Sequence, residues 1–150
     1  MQVSIQREAL LKPLQQGVGV VERRQTLPVL ANLLVKVAGN RLSLTGTDLE
    51  VEMVATAEAE KLVDGEITIP ARKLFDIIRA LPDGARIELK LNGDRVALNA
   101  GRSRFTLTTL PASEFPTIDE IELVEKVSLP EEVLRDLMER TSFAMANQDV

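Results

Sequence analysis

The side chains able to do chemistry in this 150-residue sequence are carboxylates and guanidiniums, because it contains no Cys and no His. That removes disulfides, thiolate nucleophiles, ordinary zinc sites and the commonest general base. Asp48, Glu50 and Glu52 stand two apart. On a strand they would project from one face, which is the pattern of a solvated strand surface more than of a magnesium site. Arg72, Asp76 and Arg79 follow at spacings of four and three, which puts them on one face of a helix as a charge-paired surface. An enzyme working through Asp48, Glu50 and Asp76 is one reading of the acids. Against it, the sequence has no Gly-rich phosphate loop followed by Lys and no nucleophile elbow.

These residues sit in a chain that is 45% apolar and carries a net charge of −5. Its length suffices for one sizeable core. No apolar run reaches the roughly 20 residues of a membrane span, and Met1-Gln2-Val3-Ser4-Ile5-Gln6-Arg7-Glu8 lacks the pattern of a secretory leader. The expectation is a soluble, cytoplasmic protein with no membrane partner. The charge is unevenly spread: residues 1–111 hold 15 Lys and Arg against 13 Asp and Glu, whereas 112–150 hold 3 against 10. An acidic total therefore does not exclude a polyanionic partner, which responds to where cations cluster. With four Phe and no Trp or Tyr, the chain is poorly suited to stacking single-stranded bases.

The elements that must position the charged residues come from an internal repeat. Val3-Ser4-Ile5-Gln6-Arg7-Glu8-Ala9-Leu10 recurs as Ile67-Thr68-Ile69-Pro70-Ala71-Arg72-Lys73-Leu74, and again as Val127-Ser128-Leu129-Pro130-Glu131-Glu132-Val133-Leu134. Each copy reads as a short strand entering a helix. The helices bury Leu10, Leu11 and Leu14, then Leu74, Ile77, Ile78 and Leu81, then Val133, Leu134, Leu137 and Met138, at helical period. Pro70 and Pro130 suit helix starts, Pro82-Asp83-Gly84 stops the second helix, and Pro13 is expected to kink or shorten the first. Val35 to Leu44 matches Leu89 to Leu98, two hairpins turning at Gly39-Asn40 and Gly93-Asp94. Alternation at Leu49-Val51-Met53 and at Phe105-Leu107-Thr109 adds a strand after each.

The unit is strand, helix and three antiparallel strands, present twice, so the fold class is α+β. The first unit carries about ten extra residues between Gly17 and Pro28, a loop that includes Arg23-Arg24. Residues 112–126, acidic and containing Pro116, read as a linker. The expected division is a first domain at 1–118, then a linker and the truncated start of a second at 119–150. A chain with a third strand and helix but no third hairpin is expected to be the N-terminal piece of a longer repeat protein.

Residue by residue, the sequence resembles the bacterial DNA polymerase III β-subunit family, the sliding clamps. The resemblance is carried by Leu10-Leu11-Lys12-Pro13-Leu14-Gln15-Gln16, Thr26-Leu27-Pro28-Val29-Leu30-Ala31-Asn32-Leu33, Leu42-Ser43-Leu44-Thr45-Gly46-Thr47-Asp48-Leu49-Glu50, Gly101-Arg102-Ser103-Arg104-Phe105 and Phe115-Pro116. It implies the DNA-clamp fold, with two β-α-β-β-β half-units per domain and helices on one face of antiparallel sheets. It also implies a non-catalytic processivity factor without cofactor or metal, whose partners are double-stranded DNA and a second protomer joined head to tail. The replicative polymerase, clamp loader and repair polymerases would dock in a groove outside this chain. Helices would line the hole, assigning Arg7, Lys12, Arg72 and Arg79 to DNA, together with Arg24 in the inserted loop and Gln148. The protomer interface would use Arg102, Arg104, Phe105 and Leu107 on an edge strand, with Lys73 and Ile77 on the adjacent helix. Without the third domain the chain is expected to stay mainly monomeric, with 127–150 poorly ordered or docked opportunistically. The competing reading is a generic α+β protein-interaction domain that does not bind DNA.

Overall fold

A computed structural model of the chain describes residues 1–21, 27–117, 125 and 127–145. The chain divides into two units, Met1–Ile118 and Asp119–Val150. In the first, β1 (Gln2–Gln6) enters α1 (Arg7–Val20), and β2 (Asn32–Ala38), β3 (Arg41–Thr47) and β4 (Glu52–Glu58) follow. After a short β5 (Glu60–Val63) the pattern repeats as β6 (Gly65–Pro70), α2 (Ala71–Ala80), β7 (Arg86–Asn92), β8 (Arg95–Ala100) and β9 (Ser103–Thr108). The first two copies of the repeat read from the sequence are thus the repeat of the fold, with β5 as an addition, whereas the strand expected at Val127 to Leu129 of the third copy is not formed.

The two halves exchange their first strands. β1 belongs to a five-stranded sheet ordered β5-β1-β7-β8-β9, and β6 to a four-stranded sheet ordered β4-β3-β2-β6. All the strand pairs are antiparallel. The exchange ties the halves into one core, because neither sheet can form from one half alone. Inward positions alternate along both sheets, Val35 and Val37 facing in beside Leu42 and Leu44, and Ile87 and Leu89 beside Val96 and Leu98. Leu10, Leu14, Leu74 and Ile78 of the helices complete the same core, and each is fully buried. The hairpins close through two residues each, with Gly39 at φ 62° and Gly93 at φ 60°, a backbone region closed to most side chains.

Several expectations need correction. α1 is neither stopped nor shortened by Pro13 and runs 14 residues against 10 in α2. The carbonyl that Pro13 leaves without an intrahelical donor belongs to Ala9, which is exposed and open to water. Part of the insertion is therefore an extra helical turn, Gly17 to Val20. Leu49 and Val51 do not lie on a strand: they precede β4 in an exposed turn, Leu49 at φ 81°, and the buried residue of β4 is Ala55. The segment read as a linker from 112 begins inside the first unit. A 3-10 turn at Ala112–Glu114 delivers Phe115 into a small cluster with Val29 and Leu30, flanked by Leu34 and Leu110. Beneath it Asn32 Nδ2 donates to Thr68 Oγ1 at 2.9 Å, and Thr68 Oγ1 donates to the Leu110 carbonyl at 2.8 Å.

In the second unit α3 spans Glu131–Ser142. Val133, Leu134, Leu137 and Met138 form the apolar stripe expected there, and all four are exposed. The opposite charges Asp136 and Arg140 pair at 2.8 Å one turn apart, and Glu131 and Arg135 form a second pair at the same spacing in sequence.

Candidate nucleic-acid interface

α1 and α2 run antiparallel: the first turn of each meets the last turn of the other. Each buries one stripe, Leu10 and Leu14 on α1, and Ala71, Leu74 and Ile78 on α2. The helical period then leaves Lys12 on α1 and Arg72, Asp76 and Arg79 on α2 exposed. A groove of about 450 Å³ is lined by Val18, Arg72, Phe75, Asp76 and Arg79. There the Arg79 guanidinium lies 5.3 Å from the centre of the Phe75 ring and 3.3 Å from Asp76. Both contacts hold the cation at the surface without removing it from solvent, and an exposed pair of this kind adds little stability. Arg72 donates to the Val21 carbonyl at 2.8 Å. With two guanidiniums to one carboxylate, this groove favours an anion and suits phosphate oxygens that approach from solvent.

Arg7, expected on the same surface, is elsewhere. Its side chain is 12% exposed and donates to the carbonyls of Ile78 at 3.0 Å and Arg79 at 3.2 Å and to Asp83 at 2.7 Å. Arg7 was grouped with Lys12 because the sequence carries no information about which end of the first helix a second helix covers. Arg24 and Gln148 lie outside the described residues.

The other expected surface is the open edge of β9, which pairs with β8 on one side. Arg102 in the β8–β9 turn and Arg104 on β9 are exposed, as is Phe105 at 36%, while Leu107 is buried in the core. On α2, Lys73 is exposed and Ile77 half-buried against the core. The geometry therefore presents Arg102, Arg104, Phe105 and Lys73 outward and leaves Leu107 to hold the strand down.

The carboxylates singled out for chemistry have other duties. Asp48 does not share a strand face with Glu50 and Glu52. Its Oδ1 accepts from the Glu50 and Val51 backbone N–H groups at 2.9 and 2.7 Å, while Thr47 Oγ1 donates to the Val51 carbonyl and accepts from Leu49 N. The backbone donors, Val51 first and Glu50 second, hold the Asp48 carboxyl below its ordinary pKa. Glu8, accepting from Gly84 N at 2.8 Å, is lowered for the same reason. Among the described residues no three acidic side chains are grouped to hold a metal.

A lowered carboxylate pKa fixes the sign of a pH effect. The contribution of Asp48 is fully present above the ordinary aspartate pKa of about 3.9 and disappears as pH falls through the lower native value. The difference in urea midpoint between the parent and Asp48→Asn is therefore expected to be constant from pH 7 to pH 5 and to shrink in more acid solution. A difference that persists unchanged to pH 2.5 would assign the effect to something other than the charge.

The sequence did not flag the Asn32–Thr68–Leu110 network or the Arg7 contacts at the end of α2. One signal was available: Asn32 and Thr68 are polar residues inside apolar strand runs, and a buried polar group requires a partner.

Residues 1–119 match the family model described as DNA polymerase III beta subunit, N-terminal domain. Among curated proteins, the chain is 58% identical over 151 aligned residues to the beta sliding clamp of Pseudomonas putida and 51% identical to that of Escherichia coli. Each alignment covers 100% of this chain and 41% of the relative, so the chain spans about two fifths of their length. Among solved structures, it superposes on a sliding clamp from Pseudomonas aeruginosa bound to griselimycin with a TM-score of 0.94 at 56% identity, covering 100% of this chain and 41% of that one. The Caulobacter crescentus pol III beta structure gives 0.96 at 41% identity, with 100% and 40% covered.

Proposed function

This chain belongs to the DNA polymerase III β-subunit family, and from that membership we propose that the protein containing it is a sliding clamp. It encircles duplex DNA as a ring of two protomers joined head to tail, and it confers processivity on the replicative polymerase without catalysing a reaction. Clamp loader and repair polymerases dock on parts of the protein beyond this chain, and the protein works in the cytoplasm. The observation that carries the reading is identity of 51–58% along the whole chain to proteins named as beta sliding clamps.

The geometry supports it. A ring that slides must attract phosphate without reading bases, which calls for a few solvent-facing cations on a rigid support. Lys12, Arg72 and Arg79 on the α1–α2 pair fit that description, and Arg24 and Gln148 join them by their match to family positions. The open β9 edge, with Arg102, Arg104, Phe105 and Lys73 outward and Ile77 behind them, suits an acidic partner strand and is assigned to the protomer interface. Without the rest of the protein, this chain does not close a ring and is monomeric.

The test is topological. The full-length protein, loaded on nicked circular and on linear duplex, is expected to remain on the circle through a high-salt wash and to run off the linear DNA. Equal retention on both would mean that the protein grips DNA or does not encircle it, and the clamp reading would fall.

A further inference from the structure

Each of the two paired helices opens with an arginine, Arg7 as the first residue of α1 and Arg72 as the second of α2. A cation in the first turn faces the positive end of its own helix and is disfavoured there. The first turn of α2 holds no acidic residue to offset it. The contacts resolve the conflict, because both guanidiniums reach across the helix pair. Arg7 donates to the Ile78 and Arg79 carbonyls in the last turn of α2, and Arg72 donates to the Val21 carbonyl at the end of α1. In each case the cation sits at the negative end of the neighbouring helix, where carbonyls lack the regular donor four residues on, that of Ile78 taking the cap N–H of Leu81 at 3.3 Å.

We propose that Arg7 and Arg72 are a reciprocal brace that sets the spacing and stagger of α1 and α2, and that Arg7 is a positioning residue and not a phosphate contact. Arg7 commits Nε, Nη1 and Nη2, while Arg72 commits one Nη and keeps the rest of its charge outward. The brace holds Lys12 and Arg79 in one register. This functional part rests on the clamp reading, whereas the brace itself does not. Lysine cannot replace Arg7, since one ammonium cannot bond two carbonyls and a carboxylate in the fork geometry.

The experiment uses the full-length protein at a temperature where every variant is folded by circular dichroism, with duplex affinity measured across a salt series. Arg79→Ala, which removes a contact, is expected to lower the slope of log K against log salt by about 0.9. Arg7→Lys is expected to weaken binding several-fold at every salt concentration with the parent slope. Unchanged affinity would make Arg7 merely structural, and a slope lowered by about one in Arg7→Ala would make it a contact; either overturns the proposal. Should Arg7→Ala not fold, ¹⁵N-arginine spectra of the parent decide. The Arg7 Nε–H is expected to exchange far more slowly than that of Arg79, and equal exchange overturns the brace. A salt slope insensitive to both Lys12→Ala and Arg79→Ala would instead remove these two side chains from the DNA surface, the clamp reading being decided by retention on circular and linear duplex, and the Nε–H exchange would then decide the brace alone.

Discussion

Gly46→Ala is expected to lower the unfolding free energy by about 3 kcal/mol, the upper part of the range for overpacking a well-filled interior. A Cβ at position 46 would lie 2.6 Å from the Gly17 carbonyl oxygen and 3.0 Å from a Leu33 methyl. The methyl can rotate away, but the carbonyl belongs to the backbone of α1. Gly46 itself lies on β3, which is paired on both sides, by β2 and β4. Neither backbone can retreat without breaking hydrogen bonds, so the helix must lift from the sheet. Gly19→Ala, two residues along the same helix with nothing within 4 Å, is the control. It is expected to be neutral or to stabilise by up to about 1 kcal/mol through helix propensity. Urea denaturation of both variants checks the contrast, and a Gly46→Ala midpoint equal to the parent's would show that α1 does not rest on β3 as described.

This contact illustrates what was legible in the sequence and what was not. The repeat, the helices and the hairpins at Gly39 and Gly93 followed from period and turn chemistry, because these are local properties. The exchange of β1 and β6 between sheets did not follow, since identical half-units can pair within themselves or across. The exposure of the cations was legible in part. Lys12 and Arg79 lie exposed because helical period turns Lys12 about 200° from Leu14 and Arg79 about 100° from Ile78, off the buried stripe. Arg7 was misplaced for a non-local reason: what it touches is decided by where α2 ends. Leu49 and Val51 were misread as strand because alternation alone does not reveal that Asp48 and Thr47 tie their backbone into a turn. Phe115 was named only for the resemblance and its burial was not read, because its surroundings are acidic and rich in proline, and a single aromatic residue in such a stretch leaves no periodic trace.

For that reason Phe115 makes the sharper test. Phe115→Ala is expected to reduce stability by about 3 kcal/mol, the low end for a buried phenylalanine, since its cluster is a small one lying apart from the main core. Phe115 is 5% exposed against Val29 and Leu30, so truncation leaves a cavity that these two residues, both held in the 3-10 turn at Pro28–Ala31, fill only in part. The loss is expected in global unfolding as well as in local opening. Leu110, at the head of the same segment, accepts at its carbonyl from the Thr68 N–H at 3.1 Å and from Thr68 Oγ1 at 2.8 Å, and donates its own N–H to Thr68 Oγ1 at 3.2 Å, bridging to β6. Thr68 is in turn bonded to Asn32 at the start of β2. Releasing the segment would leave Asn32 and Thr68 buried without their full set of partners, which costs more than the ring alone. Thr68→Val should therefore mimic much of the effect while leaving the aromatic cluster filled. The two variants are compared by urea midpoint and by cleavage rate in the segment around Ser113. Faster cleavage at an unchanged midpoint in both would mean that the segment opens independently, and Phe115 would then be a latch on the surface of the first unit and not part of its cooperative structure.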